Sequence, residues 1–236
     1  MVTAPRPILE VVNLTVRFPD LSRPALDRCS FSVRPGERVA LVGWNGSGKT
    51  TLLLAVAGLL PFSGEVRIDG HTLDRRTAAR LRRRIGFLFS APEDQLLFPS
   101  VREDIAFSLR VRGGAAADTA ERLERILADF GLADCAERAP FQLSHGQRQR
   151  AALAGILAGS PALLLLDEPT GHLDPPGRVA LLRLLRKQTA AALVATHDLV
   201  FASRLCDRYL WLEAGRITEE GTDFHRLAPR FAVEAE

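Results

Sequence analysis

The sequence predicts an α/β fold with a mainly parallel core sheet, an antiparallel β subdomain at its edge and an inserted helical subdomain. Three observations carry this. Apolar runs of strand length alternate with helical patterns on both sides of the chain's middle, which implies right-handed crossovers between parallel strands covered on both faces. The first 33 residues instead hold two β-branched, partly alternating runs with Pro19 and Pro24 between them. Residues 91–143 carry helical periodicity and no convincing strand.

Residues 8–18 and 25–33 form the antiparallel pair. Residues 38–42 are an apolar strand bounded by glycine, and 50–60 a buried helix that stops near Gly58 and Pro61. Short strands are expected at 65–68 and 85–89, with an arginine-rich helix over 75–83 between them. Helices over 101–111 and 118–130 break at Gly113 and Gly114. The α/β rhythm returns with a helix at 146–158, a strand at 162–166, a helix at 175–188, a strand at 192–196 and a helix at 199–205. Strands 209–212 and 216–219 close a hairpin across Ala214 and Gly215.

Composition bounds the rest. With 236 residues, 47% hydrophobic and 25% charged, the chain is an ordinary globular sequence and needs no staples. One domain over 1–236 is expected, with a core from 1–90 and 150–236 and the helical subdomain at 91–149. Cys29, Cys135 and Cys206 are too far apart for a disulfide framework or a zinc spacing, so a reduced, cytoplasmic protein is expected. The longest apolar stretch, 52–62, is broken by Gly58 and Pro61 and falls short of the roughly 20 residues that span a bilayer. Residues 1–7 lack the apolar core of a signal peptide.

The net charge of +3 rests on 29 arginines and two lysines. The arginines are spread along the chain, and the cluster Arg80, Arg82, Arg83 and Arg84 reads as a solvated helix face, so no nucleic-acid partner is expected.

With lysine this scarce, one of the two sits in a glycine-rich loop. Gly43, Trp44, Asn45, Gly46, Ser47, Gly48, Lys49 and Thr50 match G-x-x-x-x-G-K-[ST], with a strand before and a helix after. Glycines let successive backbone N–H groups turn inward around a β-phosphate, and the helix N-terminus adds about half a positive charge. Lys49 reaches the β- and γ-phosphates, and the Thr50 hydroxyl suits Mg²⁺. A nucleoside triphosphate, ATP with Mg²⁺, is the expected ligand. Its expected contacts are Gly43, Asn45, Gly46, Ser47, Gly48, Lys49, Thr50 and Thr51.

The four-leucine run at 163–166 delivers Asp167 and Glu168 to the carboxyl end of a buried strand, the edge where open α/β sheets hold ligands. Asp167 is expected to hold Mg²⁺ through water, and Glu168 to act as general base on the attacking water. His197 follows another apolar strand at the same edge. Three apt groups after three strands converge on one rim, which makes His197 a γ-phosphate contact.

Leu143, Ser144, His145, Gly146 and Gln147 resemble the LSGGQ signature of ATP-binding cassette (ABC) proteins. Together with the phosphate loop, LLLLDEPT at 163–170, Gly171-His172-Leu173-Asp174 and Thr196-His197-Asp198, the resemblance to that P-loop nucleotide-binding domain covers essentially the whole chain. It implies a head-to-tail dimer, of two copies or of this chain with a related ATPase, sandwiching two ATP molecules. Ser144, Gly146 and Gln147 of one subunit would face the phosphate loop of the other, and Asp174 would lie in the loop linking the sites. Phe18 is either the aromatic that stacks on adenine or a plain core aromatic.

The run PEDQLLF at 92–98 and the segment 196–217 are similar to ATPase subunits of energy-coupling-factor importers, especially those for cobalt or nickel. That resemblance implies a peripheral ATPase on the cytoplasmic face of the membrane, bound to transmembrane subunits. Gln95, Leu96, Leu97 and Phe98 are the expected docking region, with core packing as the alternative for the last three. Two positions depart from the family pattern. Ser90 stands where relatives carry a glutamine that reaches Mg²⁺ and the attacking water, so its metal contact needs a bridging water. His145 replaces the first signature glycine.

Overall fold

In the computed structural model, residues 6–111, 116–171 and 173–232 are described. The Gly113–Gly114 break, His172 and residues 1–5 lie outside them.

Strands β1 (Leu9–Val16) and β2 (Leu26–Val33) pair antiparallel, with Leu9 opposite Val33 and Val16 opposite Leu26. On its other side β1 pairs with β4 (Ser63–Ile68), which in turn pairs with the two-residue β5 (His71–Thr72), giving the order β2-β1-β4-β5. The strand expected at 65–68 therefore belongs to the antiparallel sheet.

The second sheet has six strands. Its parallel part is β3 (Arg38–Val42), β6 (Ile85–Leu88), β7 (Leu163–Asp167), β8 (Ala191–Ala195) and β9 (Arg208–Glu213), and β10 (Arg216–Gly221) joins β9 antiparallel as the expected hairpin. The order is β10-β9-β3-β8-β7-β6, so β3, β7 and β8 are interior and carry almost continuous apolar runs.

Side chains of these strands alternate between two cores, as a period of two requires. Val39, Leu41, Leu163, Leu165 and Leu193 point to one, shared with the antiparallel sheet and α1 (Lys49–Val56). Ala40, Val42, Leu164, Leu166 and Val194 point to the other, shared with α3 (Val101–Val111), α4 (Ala116–Asp129), α5 (His145–Ala158), α6 (Pro175–Arg186) and α7 (Leu199–Leu205). Among the described residues of 91–143 there is no strand.

Two helix boundaries differ from expectation for local reasons, and one segment is additional. Helix α1 ends at Val56, because Gly58 adopts φ 68° and Leu59 N donates to Leu54 O while Gly58 N donates to Ala55 O, a Schellman closure. The arginine-rich helix α2 is only Ala78–Arg82. Asp74 Oδ1 accepts from the amides of Arg76 and Thr77, both at 2.8 Å, which holds those residues in a turn. The C-terminal segment, not anticipated, folds as a 3₁₀ turn at Phe224–Leu227 followed by α8 (Ala228–Ala232).

Candidate nucleotide site

The chain leaves β3, turns through the phosphate loop and enters α1. Gly48 has φ 107°, and a Cβ there would lie 2.9 Å from Ala25 O; a Cβ on Gly43 would lie 2.2 Å from Leu212 O. Only glycine fits either place. The loop is braced from behind by the β9–β10 turn, where Gly215 N donates to Ser47 O at 3.1 Å. Sequence reasoning missed that brace, although the positive φ of Gly215 serves a glycine in a hairpin.

Lys49 is buried, and its Nζ donates to Gly43 O at 2.8 Å and to Trp44 O at 3.1 Å. An ammonium has three N–H donors, so one is left for an incoming anion. Burial pushes the Lys49 pKa below its ordinary value, against the pull of Glu168 and Asp167.

Asp167 ends β7 fully buried. Its Oδ2 accepts from Thr50 Oγ1 at 2.8 Å, while Oδ1 has no hydrogen-bond partner among the described residues. Burial raises its pKa, and the Thr50 hydroxyl only partly offsets that. A buried carboxylate oxygen without a donor, next to a hydroxyl oxygen, fits a hard divalent cation. Mg²⁺ takes one or two protein oxygens and completes its shell with water and substrate phosphates. No group of three or more His, Cys, Asp or Glu side chains clusters among the described residues.

Glu168 holds φ 44°, a left-handed conformation that costs a non-glycine residue on the order of 1–3 kcal/mol. Its amide is tied to Ala195 O at 2.8 Å, which pins the residue across to the end of β8. Its carboxylate lies 3.8 Å from Lys49 Nζ through Oε1 and 2.9 Å from His197 Nδ1 through Oε2. His197 is otherwise largely exposed. The structure thus brings Lys49, Thr50, Asp167, Glu168 and His197 onto one rim.

A cleft of about 620 Å³ opens on that rim, lined by Phe18, Asn45, Gly46, Gly48, Lys49, Thr50, Thr51, Ser90 and Glu168. Phe18 is half-buried: it packs against the core and lines the cleft. Ser90 is exposed at the cleft wall. Just before it, Gln95 Nε2 donates to Phe87 O at 2.9 Å and Oε1 accepts from Phe89 N at 3.4 Å, fastening the end of β6.

Ser144, Gly146 and Gln147 are placed elsewhere. They line a separate cavity of about 580 Å³ with Asp174, and the two cavities share no residue. Ser144 caps α5: its Oγ accepts from Gln147 N at 3.3 Å, and Gln147 Oε1 accepts from Ser144 N at 2.9 Å, a reciprocal box. Asp174 caps α6, accepting from Gly177 N at 2.9 Å. Buried Gln149, which sequence reasoning did not single out, donates from Nε2 to Pro169 O at 2.7 Å. That bond ties the helix bearing Ser144 to the loop that follows Asp167 and Glu168.

The four residues expected to dock are placed differently from one another. Leu96 is 8% exposed and part of the core, and Gln95 is occupied with β6, whereas Leu97 is 79% exposed. Phe98 stacks on Phe107 with ring centroids 4.8 Å apart.

The family described as "ABC transporter" matches residues 26–171. The chain is 40% identical over 218 residues to a protein of Levilactobacillus brevis named energy-coupling factor transporter ATP-binding protein EcfA1, covering 90% of this chain and 78% of that one. Among solved structures, cbiO1 from Clostridium perfringens, described as part of the ABC transporter complex cbiONQ, superposes with a TM-score of 0.82 at 30% identity, covering 97% of this chain and 93% of that one. The ATP-binding cassette MJ0796, a dimer in a post-hydrolysis state bound to ADP and Pi, also gives a TM-score of 0.82 at 30% identity, covering 91% and 98%.

Proposed function

This chain belongs to the ABC transporter ATP-binding family, and from that premise we propose that it drives an energy-coupling-factor type importer by ATP-dependent closure of a head-to-tail dimer. It is an ATPase subunit of a transporter. The observation that carries the proposal is the meeting of Lys49 and His197 at the Glu168 carboxylate, 3.8 and 2.9 Å away, each from a segment that follows a different strand.

The backbone amides of Gly46, Ser47, Gly48, Lys49 and Thr50 surround the β-phosphate of ATP, with the third Lys49 donor on the β- and γ-phosphates. Thr50 and Asp167 would hold Mg²⁺, with Ser90 reaching it through water, and the cation would supply charge neutralisation on the phosphates. Glu168 accepts the proton of the attacking water, and His197 orients that carboxylate through Nδ1 while contacting the γ-phosphate. Phe18 and Asn45 flank the rest of the nucleotide.

Ser144, Gly146 and Gln147 line a cavity that shares no lining residue with this cleft. A second copy or a related ATPase would bring an equivalent helix start to the γ-phosphate. Leu97 and Phe98 would contact the transmembrane subunits, and residues 91–149 would move as the helical subdomain against a core of 1–90 and 150–236. No described helix is long and apolar enough to cross a membrane; a peripheral subunit on the cytoplasmic face follows from the importer reading. Cobalt or nickel is the proposed solute, on the resemblance of the 92–98 segment.

Glu168→Gln, which keeps the shape of the site and removes the base, should accumulate an ATP-bound dimer on gel filtration, and Ser144→Arg in the same background should return it to monomer. A Glu168→Gln chain that stays monomeric at saturating ATP overturns dimer closure. Membrane subunits that copurify and confer cobalt or nickel uptake support the importer; a purely soluble complex overturns it.

A further inference from the structure

We propose that Phe231, in α8, is a positioning residue for the phosphate loop: its ring clamps Trp44 against Trp211 and so fixes the Trp44 carbonyl that receives the Lys49 ammonium. The inference rests on the nucleotide-binding reading of that loop and adds to it a support from the far end of the chain.

The three rings form a closed cluster. Trp44 and Phe231 have centroids 4.9 Å apart at 50°, Trp44 meets Trp211 edge-on at 5.7 Å, and Trp211 meets Phe231 edge-on at 5.7 Å. Trp211 is fully buried in β9 and forms the fixed wall. Trp44 sits in the loop itself, second after β3, and an indole there does no phosphate chemistry. Its carbonyl does: it accepts one of the two Lys49 hydrogen bonds that leave the third donor for phosphate.

The residues leading up to Phe231 are anchored. The Arg230 guanidinium lies over Trp211, 4.7 Å from the ring centroid, and donates to Glu219 in β10 at 2.6 Å. Phe224 and Leu227, one turn earlier, are buried in the core. The contact path from α8 runs through Trp44 to Lys49. Without the Phe231 ring the indole loses one of its two aromatic walls, and the Trp44 peptide gains freedom that phosphate binding must then remove.

Equilibrium dialysis of labelled ATP with Mg²⁺ on the full chain, alongside ATPase kinetics, tests this. Phe231→Ala should raise the Kd for ATP by about three- to tenfold, the span an aromatic pair contact covers. It should leave kcat at saturating ATP within about twofold, since Glu168 and His197 are untouched. Phe231→Tyr, which keeps the ring, should restore the Kd. Trp44 and Trp211 are the chain's two tryptophans, so intrinsic emission reads the cluster directly and should shift to the red in Phe231→Ala. Wild-type Kd in Phe231→Ala, whatever its melting temperature, overturns the proposal, and so does a fall in kcat with Kd unchanged or an unaltered emission spectrum. If Phe231→Ala does not fold, Phe231→Leu is read by the same criteria. Lys49→Ala separates the two levels. If it binds ATP like wild type, the phosphate-loop reading fails and the clamp with it; if it loses ATP while Phe231→Ala keeps it, only the clamp is wrong.

Discussion

The two ends of the same parallel strands are built on opposite electrostatic terms. At the amino end, Glu37 accepts from Arg208 Nε at 2.8 Å and from Arg34 N at 2.7 Å, and Arg38 N donates to Asp207 Oδ2 at 2.8 Å. The Arg38 guanidinium reaches Gln188 O at 2.8 Å. Each of these groups has a partner, and the Glu37–Arg208 and Arg38–Asp207 contacts join β3 to β9. At the carboxyl end Lys49 and Asp167 are both shifted toward neutrality by burial, Asp167 Oδ1 has no donor among the described residues, and the Glu168 backbone is strained. An unsatisfied buried polar atom costs about 1–3 kcal/mol. The carboxyl end therefore gives up stability and keeps polar groups ready for a charged ligand, whereas the amino end holds the sheet. Substitutions at the two ends should separate activity from stability.

The largest effect is expected from Glu168→Gln. Removing a general base should lower kcat by roughly 10²- to 10⁴-fold. The melting temperature should change little, because the substitution keeps the side chain's shape and leaves the backbone at φ 44° as it is. ATPase assays with parallel calorimetry decide it; retained turnover would mean that another group takes the proton.

Ser144→Ala comes next and tests the second cavity. Losing a charge-assisted contact to phosphate from the partner subunit should cut turnover by about 10- to 100-fold. ATP affinity measured on dilute single chains should be unchanged, since Ser144 lies outside the phosphate-loop cleft. Losing the α5 cap should also lower stability by about 1 kcal/mol. A weakened single-chain Kd would contradict the separation of the two cavities.

Much of this division was legible in the sequence, because it rests on local pattern. The leucine run before Asp167 needs no partner to be recognised as a buried parallel strand, and the glycine spacing of 43–50 specifies a turn that only one backbone path satisfies. What stayed hidden depends on residues distant in sequence. Residues 63–68 have the same composition whichever sheet they join, and pairing with β1 is a tertiary outcome. Leu96 and Leu97 are the same residue type side by side, yet one is core and one surface, because Gln95 and Asp104 fix the turn between them: the Leu97 and Phe98 amides donate to the Asp104 carboxylate, both at 3.1 Å. The Gly215–Ser47, Gln149–Pro169 and Phe231–Trp44 contacts leave no periodic trace, and α8, at five residues, is too short to show one.

The smallest expected effect sharpens the comparison from the amino end. Burial alone would raise the Glu37 pKa, but the Arg208 guanidinium and the Arg34 amide outweigh it and hold the carboxyl below its ordinary value of 4.5. Between the depressed value and 4.5 the unfolded chain therefore binds more protons than the folded one, so stability rises with pH across that window. The contribution is complete above the ordinary value and is lost as pH falls through the depressed one. Glu37→Gln should cost about 1–2 kcal/mol at neutral pH. For a chain of this length that is a fall of roughly 2–8 °C in melting temperature. The gap from wild type should close in strong acid, where Glu37 itself is protonated and Arg208 loses its charged partner in both proteins. ATP affinity and kcat at permissive temperature should match wild type, because Glu37 lies at the strand end opposite the phosphate loop. A gap that persists unchanged at low pH would mean that the contact acts by shape rather than charge. A loss of ATP affinity would mean that the two ends of β3 are coupled, and that the division between holding and binding is not carried by the strands.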